Sequence, residues 1–282
     1  MQVCFYHAGC PDGFGAAWAV FQVWGDAARY VPRGHEDRVR PGAHAGDVVA
    51  FVDIAPDNDE LVALCEHAAH VMVLDHHITA RDRFESDPAT ANAVAMSGHR
   101  IVFDLDHSGA VLAWLAFAGD DDVPDLLRYV EDQDLWNWKL PNSREVNAAI
   151  SSYPHRFEVW SELAARPIAE LAREGEPIVR ANRVEVERVL HTASPIAVGT
   201  RRVEAVNATQ NRSTLGHELA KRAAYGDEWG CVYRIVGDRV HATLYSIGDF
   251  DVAGIASHYG GGGHRNAAGF AVSLKQWLED FA

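Results

Sequence analysis

One run constrains the fold more than any other: Val71-Met72-Val73-Leu74, followed at once by Asp75-His76-His77. An apolar run of this kind, rich in β-branched residues, predicts a strand buried on both faces, and such strands belong to parallel sheets covered by helices. Those sheets collect ligands and reacting groups at the carboxyl ends of their strands. An acid and two adjacent histidines in that place read as a metal site. Two other apolar runs end alike. Val3-Cys4-Phe5-Tyr6 leads into His7, Cys10 and Asp12, and Val48-Val49-Ala50-Phe51-Val52 leads into Asp53. Singly, Asp12 before Gly13 and Asp53 before Ile54-Ala55-Pro56 read as turn acids. Jointly, three runs that deliver carboxylates or imidazoles at equivalent ends read as one centre. Hard oxygens with a few imidazoles suit manganese, magnesium, iron or zinc, and two carboxylate-bridged ions can activate water and stabilise a phosphoryl transition state.

The wider pattern agrees with a sheet of this type. Strands at 3–6, 29–31, 48–52 and 71–74 alternate with helices at 13–23 and 57–68, which predicts a parallel sheet flanked by helices. Ser108 caps a helix through 110–115, and another starting at 123–129 carries Glu131-Asp132-Gln133-Asp134 at its end. The charged stretch from Glu170 to Arg188, interrupted by Pro177, reads as a helical connector with a solvated face. Beyond it, strands at 195–198, 203–207, 231–236, 240–245 and 268–272 surround a helix at 215–224, with a further helix at 252–258. The expected class is α/β, with an N-terminal parallel-sheet domain over 1–165, a connector over 166–192 and a smaller C-terminal α/β domain over 193–282. Asn211-Arg212-Ser213-Thr214 opens the helix at 215 either as an anion site or as a plain N-cap by Ser213 or Thr214.

Charge and cysteine usage narrow the function. With 282 residues the chain exceeds the usual span of one core. Lys and Arg number 25 against 40 Asp and Glu, a net charge of −15, which argues against broad electrostatic binding of duplex DNA. A short or small phosphorylated substrate fits better, with Arg212 or Arg265 offsetting charge locally. The cysteines Cys4, Cys10, Cys65 and Cys231 contain no Cys-x-x-Cys pair, and no charged-then-apolar leader precedes Val3. A reducing cytoplasm is the expectation. No apolar run reaches the roughly 18 residues that a membrane span needs, so no membrane association is expected.

Four consecutive glycines, Gly260-Gly261-Gly262-Gly263, forfeit backbone entropy and need a reason. Such a loop lets backbone N–H groups approach a phosphate, and His264 adds a donor or a positive charge. No Gly-Lys-Ser/Thr follows, so the loop is not a nucleoside-triphosphate P-loop. The alternative is a flexible turn between the helix at 252–258 and the strand at 268–272.

These residues together resemble the DHH phosphoesterase superfamily over nearly the whole chain. The resemblance rests on the motif from His7 to Asp12, Asp53 after a strand, Asp75-His76-His77, the acid in Asp132-Gln133-Asp134-Leu135-Trp136, and the run from Gly260 through His264-Arg265-Asn266 to Phe270. The last is similar to the glycine-rich signature of the DHH-associated C-terminal domain. The resemblance implies that His7, Asp12, Asp53, His76 and Asp134 hold two manganese ions, with magnesium or another divalent metal as the alternative. It implies catalytic roles for His77, as acid or substrate contact, and for Asp75, which orients an imidazole. Ser246, Gly261, Gly262, Gly263, His264 and Arg265 would bind substrate phosphate. The activity implied is hydrolysis of phosphodiester bonds in short oligonucleotides or nucleotides. An exopolyphosphatase or small phosphomonoester phosphatase is one alternative, and a nucleotide-binding sensor without turnover is another.

The chain also departs from that pattern. Relatives show Asp-x-Asp where this sequence has Cys10-Pro11-Asp12. Matching on Asp12-Gly13 puts Cys10 at the first aspartate, whereas counting from His7 puts Asp12 there and Phe14 at the second. The former keeps the helix-opening context, and Cys10 is then a soft ligand, a supporting group or inert packing, the last being favoured. Relatives follow the serine at 246 with an arginine, and here Ile247 and Gly248 stand. Asp134 fits the aspartate-then-aromatic context better than Asp132, which reads as a cap or an orienting group. Trp136, Trp138 and Tyr153 read as core aromatics or as a surface for base stacking, worth roughly 1–3 kcal/mol per base. His35, His44, His67, His70, His99 and His107 read as surface or structural.

Overall fold

The computed structural model describes every residue of the chain except 36, 120, 121 and 282. In chain order, the first unit contains β1 (Gln2–His7), α1 (Pro11–Trp24), β2 (Arg29–Arg33), β3 (Val48–Val52), α2 (Asn58–His67), β4 (His70–Asp75), α3 (Ile78–Glu85), α4 (Pro88–Met96), β5 (Arg100–Phe103), α5 (Gly109–Phe117), α6 (Asp125–Asp134), α7 (Ser143–Ser151) and α8 (Phe157–Ala164). The apolar runs feed two cores by strict alternation. Val3, Phe5, Val49, Phe51, Val71 and Val73 enter one, with Leu61 and Leu64 of α2 and Val94 of α4. Cys4, Val52 and Leu74 enter the other, with residues of α1, α5, α6, α7 and α8 such as Leu127 and Trp160. The sheet is therefore buried on both faces.

Its strands run in the order β2-β1-β3-β4-β5, and every neighbouring pair is parallel. Tyr6 lies opposite Val52, and Val52 opposite Leu74, so His7, Asp53 and Asp75 leave the sheet side by side. The strand order reverses between β1 and β3. That reversal opens the crevice in which doubly wound sheets bind ligands.

Several elements differ from the expectation. Helix α1 opens at Pro11 rather than at 13, because proline costs nothing in a first turn and Cys10 Sγ accepts the Gly13 N–H at 3.3 Å. β5, α3, α4, α7 and α8 were not anticipated. α3 and α4 are short and bury only Ala80, Thr90 and Val94 among them, too few positions for a periodic signal. Asp87-Pro88 was nevertheless a legible start for α4, since Asp87 accepts the N–H groups of Ala89 and Thr90.

A single helix, α9 (Ile168–Leu190), runs through Pro177. Leu171 and Ala172 belong to the first unit's core, and Val186 and Leu190 to the second's. The chain divides inside this helix, into Met1–Val179 and Arg180–Ala282.

The second unit continues with β6 (Ser194–Val198), β7 (Arg201–Asn207), α10 (Arg212–Arg222), β8 (Trp229–Val236), β9 (Arg239–Ser246), α11 (Ala253–His258), β10 (Gly262–His264), β11 (Ala267–Ser273) and α12 (Leu274–Asp280). Its sheet has the order β10-β11-β9-β8-β7-β6. Only the β7/β8 pair is parallel among its described pairings, and α10 supplies the crossover that a parallel pair needs. Helix α10 begins earlier than expected, and its cap is Asn211 in a left-handed conformation (φ 53°) rather than Ser213 or Thr214. The glycine run is not a loose turn throughout, because Gly262–His264 pairs with β11. A Cβ on Gly261 would lie 2.0 Å from the Gly269 carbonyl oxygen, so close backbone approach by itself requires glycine there. Among the described residues no helix is long and apolar enough to cross a membrane.

Candidate metal centre

The carboxyl edge of the first sheet gathers the predicted residues. His7 ends β1, Asp53 follows β3, Asp75 ends β4 with His76 and His77 next, and Asp134 ends α6. Asp53 is buried and adopts a left-handed backbone (φ 58°), a conformation uncommon outside glycine that is retained where the surroundings impose it. Its two oxygens meet different partners. Oδ2 lies 3.3 Å from His7 Nδ1 and accepts from Cys10 Sγ at 3.6 Å, while Oδ1 lies 3.0 Å from His76 Nε2. His76 Nε2 is also 3.5 Å from Asp12 Oδ2 and 3.6 Å from Asp134 Oδ2. Two donor groups result, His7–Cys10–Asp53 and Asp12–His76–Asp134, each with ligand atoms within 4.8 Å of one another.

Helix α5 holds this arrangement from below. Its first amides donate to Asp12, Gly109 N to Oδ2 at 2.7 Å and Ala110 N to Oδ1 at 3.0 Å. Gly109 was not singled out from the sequence, yet a Cβ there would lie 2.4 Å from Asp53 Cβ. A glycine directly after the Ser108 cap was the available signal.

The charges are out of balance. Three carboxylates share one imidazole nitrogen. Burial, then repulsion from Asp53 and Asp134, pushes Asp12 well above the usual carboxylate range. Desolvation likewise raises Asp134, which keeps 30% of its side chain exposed, against the attraction of His76. Burial disfavours ionised Asp53, but hydrogen bonds from His7 and His76 hold it well below the usual range. Burial also opposes charge on His76, but Asp53, then Asp134 and Asp12, raise it well above the usual value. A cluster with such an excess of acid lacks positive charge, and oxygen donors with imidazoles fit a hard divalent cation. The donor set therefore fits the metal that the sequence implies, with Cys10 as its one soft member.

Asp75 is fully buried and bonds His77 Nδ1 at 2.7 Å through Oδ1, which also accepts the backbone N–H of His76 and of His77. Burial works against ionising either group, yet each partner favours the other's charged form, so Asp75 titrates below and His77 above its usual range. In the neutral ring this bond fixes the proton on Nδ1 and the lone pair on Nε2.

Two sequence readings change. Cys10 is not inert packing: its sulfur caps α1 and lies 3.5 Å from His7 Nδ1. The rival position, Phe14, is buried against Phe157 and Trp160 and away from the donor groups. His35 is not remote, because its ring centroid lies 4.8 Å from His7 and 5.6 Å from His77. Although His35 is exposed as a residue, desolvation of its ring beside these neighbours, and then their like charge, lowers its pKa to about 4. The missed signal was Gly34-His35 directly after β2 of the same sheet.

Other candidates take structural partners. His44 pairs with Asp47, His67 with the Ala63 carbonyl, His99 with Val71 N and the Cys65 carbonyl, and His107 with Glu131. His70 has the His99 ring 5.8 Å away. Tyr153 bonds Glu174 and Arg166. Trp136 and Trp138 stand edge to face just after Asp134, both in left-handed conformations, with Arg144 over Trp138.

The alternative acids separate clearly. Asp132 is buried and accepts from Lys139 N and Leu140 N, while only Asp134 reaches His76. Asp132→Ala is expected to cost about 1 kcal/mol, since it leaves two part-buried amides without their acceptor, and to leave manganese content unchanged. Asp134→Ala should lose manganese with little change in denaturant midpoint. Metal analysis beside urea unfolding checks both, and the reverse pattern would exchange the two roles.

In the second unit, Ser246 Oγ donates to the Phe250 carbonyl and accepts from Asn266 Nδ2, and Arg265 Nη2 donates to the Asp249 carbonyl. Ser246 and Arg265 thus both hold the 249–250 end of the loop after β9, and Gly262, Gly263 and His264 lie in β10.

No family model matches the sequence. An uncharacterised protein of Acanthamoeba polyphaga mimivirus is 25% identical over 300 aligned positions, covering 97% of this chain and 68% of that protein. Among solved structures, a DHH domain from a member of a ribosomal protein family superposes with a TM-score of 0.53 at 14% identity, over 99% of this chain and 84% of the other. An exopolyphosphatase-related protein from Bacteroides fragilis superposes with a TM-score of 0.51 at 10% identity, over 99% and 89%. In fold, then, the chain is similar to solved DHH-domain structures.

Proposed function

We propose that the chain is a metal-dependent phosphoesterase that hydrolyses phosphodiester bonds of short oligonucleotides or nucleotides. The observation that carries this reading is Asp53, whose two oxygens each serve a different donor group at the switch point of a parallel sheet. His7, Asp12, Asp53, His76 and Asp134 would hold the metal, manganese or another divalent ion. Bound there, such ions supply water activation and neutralise charge on the phosphoryl group. Asp53 fixes the spacing of the two groups, and the α5 amides keep Asp12 oriented. His77, held at Nδ1 by Asp75, donates a proton from Nε2 to the leaving oxygen. Ser246, Gly261, Gly262, Gly263, His264 and Arg265 of the second unit bind substrate phosphate in this reading. The net charge of −15 favours a short substrate over duplex DNA. Free Cys4, Cys10, Cys65 and Cys231 fit a reducing compartment.

The deciding experiment is a product-resolved hydrolysis screen with manganese. It covers di- to pentanucleotides, cyclic dinucleotides, 3′,5′-bisphosphates, simple phosphomonoesters and inorganic polyphosphate. Release of mononucleotides supports the reading. Phosphate from polyphosphate alone would replace it with an exopolyphosphatase, and ligand binding without any product would leave a sensor.

Cys10 gives an independent prediction. Cys10→Asp retains a capping acceptor for Gly13 N and adds a hard oxygen beside Asp53 and His7, so manganese should bind more tightly by calorimetry. Phe14→Asp, which buries a charge in an aromatic cluster, should destabilise the fold instead. Tighter manganese binding in the Phe14 variant and none in the Cys10 variant would reverse the matching.

A further inference from the structure

His35 brings a third imidazole to a place where two already stand. One ring nitrogen from each of His7, His35 and His77 lies within 4.8 Å of the others, a span that one ion can bridge. The rings meet edge-on or tilted, with centroids 4.8, 5.6 and 5.8 Å apart, rather than stacking face to face. The His35 loop is anchored. Arg33 and Glu60, both buried, pair at 2.8 Å, Arg33 Nη2 donates to the Asp37 carbonyl at 2.9 Å, and Glu60 also accepts from Val39 N at 2.6 Å. The loop that carries His35 is thereby tied down on both sides of the ring. Asp75 on His77 Nδ1 completes a carboxylate–histidine pair, the support that orients metal-binding imidazoles.

We propose that His7, His35 and His77 form a nitrogen-rich cation site that takes a borderline divalent ion of the zinc class. Its ligand chemistry differs from that of the Asp12, Asp53 and Asp134 cluster. Three imidazoles with an open fourth position suit zinc or cobalt, whereas the acidic cluster suits manganese or magnesium. On the phosphoesterase reading, an ion here would occupy the same His77 nitrogen that serves the leaving oxygen. Zinc would then slow turnover.

Cobalt(II), which reports its ligands by visible absorption, is the probe. It is titrated into the metal-free full chain, since His7 also belongs to the donor set assigned to manganese, for wild type, His35→Ala and His35→Cys, with circular dichroism to check each fold. Wild type should take up one equivalent more than His35→Ala, with a visible band. His35→Ala should bind it at least about 100-fold more weakly, beyond the loss that removing a mere supporting contact causes. His35→Cys keeps a ligand and should retain uptake, with a thiolate-to-cobalt charge-transfer band. Equal uptake and spectrum in wild type and His35→Ala would overturn the site, as would loss of uptake in both variants. Binding is read without substrate, so it stands apart from the activity. Cobalt bound at the triad with undiminished turnover would reject the role of His77 in the reaction and leave the cation site intact.

Discussion

Asp53→Asn is expected to reduce turnover by at least about 10³-fold in a chain that stays folded. Asparagine has the shape of aspartate and tolerates the left-handed backbone that residue 53 adopts (φ 58°), so the substitution adds no backbone strain. It removes the carboxylate charge that serves both donor groups through Oδ1 and Oδ2. Several kcal/mol of charge stabilisation goes with the metal, and each ~1.4 kcal/mol is tenfold in rate. Manganese content should fall together with turnover, and circular dichroism should not change. Wild-type turnover in a folded Asp53→Asn protein would remove Asp53 from the centre and with it the two-group arrangement.

What the sequence showed and what it concealed differ in kind. Val3 to Tyr6, Val48 to Val52 and Val71 to Leu74 were legible as doubly buried strands because a run with no polar face has nowhere to sit except between two layers. The register that sets His7, Asp53 and Asp75 side by side then follows from parallel pairing of runs that all end in polar groups. α3 and α4 were concealed because each buries too little to leave a period. Their stability comes from tertiary packing, which a local window does not contain. His35 was concealed for another reason. Its place beside His77 depends on β2 lying next to β1 and on the Arg33–Glu60 pair 27 positions apart, and neither is visible as spacing. For Cys10, inert packing was favoured over a soft ligand or a supporting group, because a thiol's role at a helix start depends on which way the N–H groups point.

Gly109 is a position where a single methyl group should do damage out of proportion to its size. Gly109→Ala at the first position of a helix would ordinarily help, since alanine is favoured over glycine in helices by roughly 0.5–1 kcal/mol. Here the added Cβ would lie 2.4 Å from Asp53 Cβ and 2.7 Å from its Oδ1, and Gly109 N is itself the donor to Asp12. Either Asp53 or the start of α5 must move, and both carry the centre. A displacement on the order of 1 Å at a catalytic group costs about 100-fold, so turnover should fall at least that far and manganese affinity with it, in a chain that stays folded but loses about 1–3 kcal/mol of stability to overpacking. Gly42→Ala is the matched control, because a Cβ there meets nothing within 4 Å and its backbone is not left-handed. That variant should keep full turnover and metal content. A Gly109→Ala protein with wild-type turnover would show that α5 can yield without disturbing Asp53. The close approach of helix and carboxylate would then be incidental to the chemistry rather than its support.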